Sequence, residues 1–253
     1  MFREAAAMVL VRDTDKSIEV CMLRRVSQSS FAAGAYVFPG GVVEENDKDS
    51  TWTTFCINEK SNSNSSIEGL SAYKVAAIRE TLEEAGLLTL GHNDVPIIKD
   101  EDRERLNLGV TTLQEILGQY QLKLNLDELV FYDHWITPEG APIRFDTRFF
   151  LSQIAPSQIV RHDERETDLS CWATPASLLA LYDQKKIKLM PVTHVQLQRL
   201  AQFDSVATLV ESAKKEQVIT PILPILNYGE SGKPESVTID LKEGVIEYPV
   251  YRL

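Results

Sequence analysis

Two stretches near the start of the chain, 5–11 and 18–24, are apolar at most positions and of strand length. The polar Asp13-Thr14-Asp15-Lys16 lies between them, so the pattern predicts an opening β-hairpin. Residues 36–38 predict a short strand that delivers the chain to Gly40 and Gly41. Farther on, Val75, Ile78, Leu82 and Ala85 recur at helical spacing and stop before Gly86, the residue type that most easily takes the left-handed turn after a helix. Between these two regions, Trp52, Phe55, Cys56 and Ile57 predict a short helix, and the serine- and asparagine-rich run 61–66 predicts a loop. Helices are then predicted over 100–106 and 112–120, and strands over 129–137 and 148–154 joined by a turn through Pro138-Glu139-Gly140. A strand at 169–173 leads to a helix that Thr174 caps and Pro175 opens. Helices over 192–202 and 206–214 and strands over 237–241 and 245–248 complete the pattern. Strands interleaved with helices predict an α/β (α+β) fold, with a mixed sheet between helical layers.

At 253 residues and 43% hydrophobic, the chain can bury a substantial core as one enlarged domain or as a domain with an appended subdomain. A net charge of −11 and a pI near 4.9 argue against a broad nucleic-acid-binding surface and favour a small anionic partner held in a local pocket. No apolar run approaches the ~20 residues that span a bilayer, and no secretory leader opens the chain. The expectation is a soluble, cytoplasmic protein with no membrane partner. Cys21, Cys56 and Cys171 lack metal-ligand spacing and leave one thiol over in any pairing, so they read as small buried residues in a reducing compartment. His92, His134, His162 and His194 are scattered and read as structural or exposed. The final Tyr-Arg-Leu, 251–253, has Tyr251 where a peroxisomal tripeptide needs a small residue, and it is not read as a targeting signal.

The candidate chemistry lies in two separated pieces. Phe38-Pro39-Gly40-Gly41 is followed by Glu44, Glu45 and Asp47; the second piece is Arg79-Glu80-Thr81-Leu82-Glu83-Glu84-Ala85-Gly86-Leu87. On a helix, Glu80, Glu83 and Glu84 share one face, where three like charges repel. An ordinary solvated face with salt bridges is one reading of such a helix. Here, however, the opposite stripe is committed to a core, which fixes the acidic face in place. A hard cation such as Mg2+, shared between carboxylates and substrate phosphates, would relieve the repulsion, which points to phosphate-ester or diphosphate chemistry. Glycine would let the backbone of the upstream loop come close to a ligand.

Taken together, the two pieces resemble the box of the Nudix hydrolases: glycine, five residues, glutamate, seven residues, then Arg-Glu, an aliphatic residue, any residue, Glu-Glu, any residue, glycine and an aliphatic residue. The segment from 79 to 87 matches at every required position. Counting from Gly41, Asp47 fills the place of the first glutamate with one methylene less, and 31 residues (48–78) follow where the box has seven. The interruption, together with the approach from Phe31 to Gly41, resembles the branch with a split box, that of the peroxisomal coenzyme A diphosphatase (moiety X motif 19-like).

The resemblance implies a Nudix αβα sandwich with a helical insertion at about 48–72, a Nudix domain over 1–190 and a helix-and-strand extension over 191–253 packed on it. It also implies Mg2+ or Mn2+ as cofactor, with Glu83, Glu84, Glu80 and the Gly40 carbonyl as metal contacts. Glu80 is alternatively a general base, and Arg79 would orient the glutamates. Glu44 or Glu45 could stand in for Asp47. Glu166, in His162-Asp163-Glu164-Arg165-Glu166 before the strand with Trp172, resembles the family's later acidic residue, its other reading being a solvated loop. Arg24, Arg25, Arg144 and Arg148 are candidates for phosphate contacts, with strand-edge ion pairing as the alternative.

The implied substrate is coenzyme A or an acyl-coenzyme A, cleaved to 3′,5′-ADP and a phosphopantetheine, on a possible homodimer. The arginine motif that precedes Phe-Pro-Gly-Gly in many such enzymes is met here at Arg25 and Gly34, but not at Val26 and Ser30. Hydrolysis of a dinucleotide or nucleotide sugar, or a non-catalytic ligand-binding Nudix fold, are the alternatives.

Overall fold

Val9, Leu10 and Val11 lie with no exposed surface in β1 (Arg3–Asp13), a strand paired along both edges. A continuous apolar run fits such a place, because a strand covered on both faces needs no polar alternation. The computed structural model describes residues 2–29, 32–57, 69–90, 97–216 and 218–249. The predicted 61–66 loop, Ser30, Phe31, His92 and the 251–253 tripeptide fall outside these residues.

β1 forms the predicted hairpin with β2 (Ile18–Arg25) and pairs antiparallel with β4 (Gly40–Val42), Ala6 opposite Gly41. On its far side it pairs in parallel with β6 (Phe145–Gln153), from Arg3 opposite Phe145 to Val11 opposite Gln153. β5 (Val130–Ile136) is antiparallel to β6. β3 (Ala35–Val37) and β7 (Thr167–Ala173) are antiparallel to β2, and β8 (Lys188–Leu189) is parallel to β3. β9 (Ile225–Tyr228), β10 (Pro234–Leu241) and β11 (Gly244–Pro249) make a second, antiparallel sheet.

Helices cover both faces of the large sheet. On one side α1 (Trp52–Phe55), α2 (Ser71–Ala85), α3 (Asp100–Asn107) and α4 (Leu113–Tyr120) pack through Ile78, Leu82, Leu106 and Leu117 against Met8, Leu10 and Phe150. On the other, α5 (Pro175–Asp183), α6 (Pro191–Leu200), α7 (Val206–Lys215) and β10 supply Leu178, Leu197, Leu209 and Ile239 against Val9, Val20 and Leu151. This is an αβα sandwich on a mixed sheet. Among the described residues, no helix is long and apolar enough to cross a membrane.

Two local expectations are corrected, and one strand lies beyond the sequence pattern. The 148–154 strand begins at Phe145, because Phe145, Asp146 and Thr147 pair with Arg3, Glu4 and Ala5 of a strand far away in sequence. Gly40 and Gly41 belong to a strand rather than a loop, since β1 supplies partners for both. β9, which ends in the polar Asn227-Tyr228, had no strand period of its own and is formed by pairing with β10.

Candidate active site

The last turns of α2 meet β4 because both pack on β1. The Gly40 N–H donates to Glu84 Oε2 at 2.9 Å. A Cβ at Gly40 would sit 2.4 Å from the Ala6 carbonyl oxygen, and one at Gly41 would sit 2.3 Å from Glu80 Oε1. Gly40 is therefore required by close packing on the backbone of β1, whereas Gly41 leaves the space that the Glu80 carboxylate fills.

Arg79 holds the cluster together. Its Nε and Nη2 donate to the two oxygens of Asp47 at 3.1 and 2.9 Å, its Nη1 to Glu80 Oε1 and Glu83 Oε2 at 2.9 Å each, and its Nη2 also to the Val42 carbonyl at 2.9 Å. The guanidinium fork thus ties the box helix to the end of β4 at Val42 and to the turn behind it at Asp47, a task its planar donor set suits. Asp47 is buried in a 3-10 turn, Glu45–Lys48, where it also accepts the Glu44 N–H at 2.8 Å. Its carboxylate is occupied by Arg79, so the residue in the box's first acidic position braces the arginine. Glu45 is exposed and pairs with Lys48, whereas Glu44 lines the cleft.

Charge is crowded here. Burial raises Glu80 to about 8, Arg79 opposing and Glu83 and Glu166 adding to the shift. Burial likewise raises Glu83 to about 7, against the pull of Arg79. Glu84 is driven well above the ordinary carboxylate range by burial and by the charge of Glu80, with the Gly40 N–H and Arg25 opposing. A single guanidinium, already paired with Asp47, does not neutralise three further carboxylates.

The cluster opens into a cleft of ≈ 320 Å³ lined by Glu44, Asp47, Arg79, Glu80, Glu83 and Glu166 together with Trp52, Asn107, Thr111 and Gln114. Glu166 is mostly exposed and stands 3.9 Å from Arg25. Gly40, Glu80, Glu83, Glu84, Glu166 and Arg25 are therefore gathered in one place. The other arginines are engaged elsewhere. Arg24 pairs with Asp168 at 2.7 Å. Arg144 donates to the Thr137 carbonyl and lies over Phe2. Arg148 lies over Tyr73 and pairs with Asp146 at 3.2 Å.

Three side chains outside the box also take part. Trp52, from the interruption of the box, lines the cleft and donates its indole N–H to the Asn46 carbonyl at 2.7 Å, next to Asp47. Arg103 and Asn107 of α3 donate to the Glu83 carbonyl. Periodicity carries no signal for either contact, since each joins segments with unrelated local patterns.

Among the described residues, no three or more His, Cys, Asp and Glu side chains are grouped as a metal shell; Glu80 and Glu83 turn to Arg79, and Glu84 to Gly40. The donor set fits a hard divalent cation all the same. It consists of carboxylate oxygens in surplus over the local positive charge, held on a helix and facing a glycine strand with no side chains in the way.

The family model described as the NUDT19 Nudix domain matches residues 53–200. Acyl-coenzyme A diphosphatase NUDT19 of Xenopus laevis is 28% identical over 228 residues, covering 73% of this chain and 60% of the relative. The human protein of that name is 24% identical over 237 residues, covering 77% of this chain and 63% of its own length. Putative nudix hydrolase 7 of Caenorhabditis elegans is 25% identical over 230 residues, 91% of this chain and 70% of the relative. The chain thus spans about three-fifths of the length of the NUDT19 proteins it matches. Among solved structures, a NUDIX hydrolase from Alicyclobacillus acidocaldarius superposes with a TM-score of 0.71 at 26% identity, over 83% of this chain and 96% of that one. A family model that matches more than half of the sequence, on a sandwich that rejoins the two pieces of a divided box, settles the assignment: the chain belongs to the Nudix hydrolases, in the NUDT19 Nudix domain family.

Proposed function

We propose that this protein hydrolyses a diphosphate linkage, and that its substrate is coenzyme A or an acyl-coenzyme A, released as 3′,5′-ADP and the (acyl-)phosphopantetheine. The observation that carries the hydrolytic reading is the surplus of buried carboxylate charge at Glu80, Glu83 and Glu84 beside the Gly40–Gly41 strand, with Glu80 and Glu83 opening to a cleft and Glu84 enclosed behind them. The choice of substrate is supported by the names of the NUDT19 relatives.

Glu80, Glu83, Glu84 and the Gly40 carbonyl would hold Mg2+ or Mn2+. Bound there, the cation would screen the diphosphate oxygens and acidify a water. Arg79 holds Glu80 and Glu83 at the cleft while Asp47 keeps Arg79 in place. Glu166, at the exposed rim, takes the proton from the attacking water, with Glu80 as the other acceptor in reach. Arg25, whose charge acts on Glu84, faces the anionic substrate. A cleft of this size on a chain of net charge −11 suits a small phosphorylated molecule rather than a nucleic-acid polymer.

The test is a substrate panel of coenzyme A, acyl-coenzyme A, a dinucleotide and a nucleotide sugar, each with Mg2+ or Mn2+ and chromatography for 3′,5′-ADP. Release of 3′,5′-ADP is expected, and the double variant Glu83→Gln, Glu84→Gln should lose it with its circular dichroism unchanged. Turnover of the dinucleotide or sugar alone would reject the coenzyme A assignment. Turnover of nothing, with the protein folded, would favour a ligand-binding role.

A further inference from the structure

We propose that Arg103 is a positioning residue for the carboxylate cluster, fixing the Glu83–Glu84 peptide in the orientation that a cation site needs; the inference rests on the metal reading above. The last four carbonyls of any helix lack partners within it and must find them elsewhere. At the end of α2, the Glu83 carbonyl accepts Arg103 Nε at 3.0 Å, Arg103 Nη2 at 2.8 Å and Asn107 Nδ2 at 3.3 Å. The Ala85 carbonyl accepts the Arg161 N–H at 2.8 Å. The final turn of the box helix is thus held by α3 and by the segment leading to β7.

The carbonyl that Arg103 grips belongs to the peptide joining Glu83 to Glu84, so its plane sets the direction from which both side chains leave the backbone. A cation at a helix C-terminus is also favoured by the helix dipole. Gly86 makes the contact possible in two ways. Its φ of 68° turns the chain out of the helix, and a Cβ there would come within 3.0 Å of Arg103 Nη1. Arg103 is buried, and the charges of Asp163, Arg161, Asp100 and Glu84 all act on it. Asp163 in turn accepts the N–H groups of Glu166 and Thr167 and the Thr167 hydroxyl, folding the turn that presents Glu166. One guanidinium therefore sits between the segment that bears Glu83 and Glu84 and the segment that bears Glu166.

A cap that served stability alone would change the melting temperature and leave metal affinity untouched. The discriminating experiment is Mn2+ titration by electron paramagnetic resonance, with melting curves in parallel, on wild type, Arg103→Ala, Arg103→Lys and Asn107→Ala. The double variant Glu83→Gln, Glu84→Gln identifies binding at this site. Arg103→Ala should weaken Mn2+ binding by about tenfold or more, in line with the loss of partners that orient metal ligands. Arg103→Lys should recover part of that loss, and Asn107→Ala, which gives up one longer bond, should weaken binding less. Wild-type Mn2+ affinity in Arg103→Ala overturns the inference, whatever the melting temperature. If that variant does not fold, wild-type affinity in both Arg103→Lys and Asn107→Ala overturns it equally. A wild-type protein that binds no Mn2+ removes the metal reading itself and this inference with it, which separates the two failures.

Discussion

Asp47 and Arg79, 32 positions apart in sequence, meet as a buried two-pronged ion pair, Nε to Oδ1 at 3.1 Å and Nη2 to Oδ2 at 2.9 Å. Because Arg79 also holds Glu80 and Glu83, the pair couples the turn before the interruption of the box to the helix after it. Asp47→Asn would leave the guanidinium short of one charge in a buried place. Breaking such a pair costs about 3–5 kcal/mol, so this variant should melt well below wild type. Asp47→Glu should keep the charge and lose far less; equal melting of Asp47→Asn and wild type would remove the bracing role.

Gly41→Ala should act on chemistry before it acts on folding. The new methyl would occupy the place of the Glu80 carboxylate, and a side chain can swing aside more easily than a strand can move. A displacement of this kind can cost about a hundredfold in turnover. Steady-state kinetics with circular dichroism tests it, and an active Gly41→Ala would show that Glu80 is not needed where it lies.

The metal-free protein should lose stability as pH rises. Glu80 and Glu83 stand at about 8 and about 7 in the folded chain against an ordinary 4.5. Between those limits the folded state keeps protons that the unfolded state has released. Unfolding is then favoured as pH increases from about 5 to about 8, and stability is greatest at the acid end of that window. Melting curves in chelator should fall across it, while Mn2+ should flatten the decline by favouring the ionised carboxylates. A curve in chelator that rises over this interval would contradict the crowding of charge.

Arg24 and Arg25 are neighbours in sequence with separate expected effects. Arg25 stands by Glu166 and acts on Glu84, whereas Arg24 is paired with Asp168. Arg25→Ala should raise KM for the diphosphate substrate, and Arg24→Ala should leave it close to wild type. Reversal of that order would move the anion-binding side of the cleft to the other face of β2.

Glu166→Gln should lower kcat while sparing the fold, because the side chain is mostly exposed and its turn is built by Asp163. A variant with unchanged kcat and an unchanged pH profile would exclude Glu166 as the proton acceptor.

Much of this arrangement can be read along the chain, and the reason is local. The apolar runs of the first hairpin, the stripe of Val75, Ile78, Leu82 and Ala85, and the stop at Gly86 are each decided by residues within a few positions of one another. So is the start of α5, where Thr174 accepts the Ser177 N–H at 3.2 Å and Pro175 follows. The three box glutamates fall on one face through helical geometry alone, with no help from the rest of the fold.

Tertiary structure decided everything that needed a distant partner. It made a strand of Gly40–Val42 by setting it against β1, and lengthened β6 by pairing it in parallel with that same strand. It also enclosed Glu84 on all sides, turning an acidic helix face into a buried charge cluster with displaced proton affinities. The partners that close the site, Asp47 on Arg79 and Arg103 on the Glu83 carbonyl, lie 32 and 20 positions away. The sequence alone determined the elements and the chemical types at their ends. Hydrogen bonds and ion pairs between remote segments depend on how the layers dock, and only the packing of α2, α3 and β4 around β1 brought those groups within reach of one another.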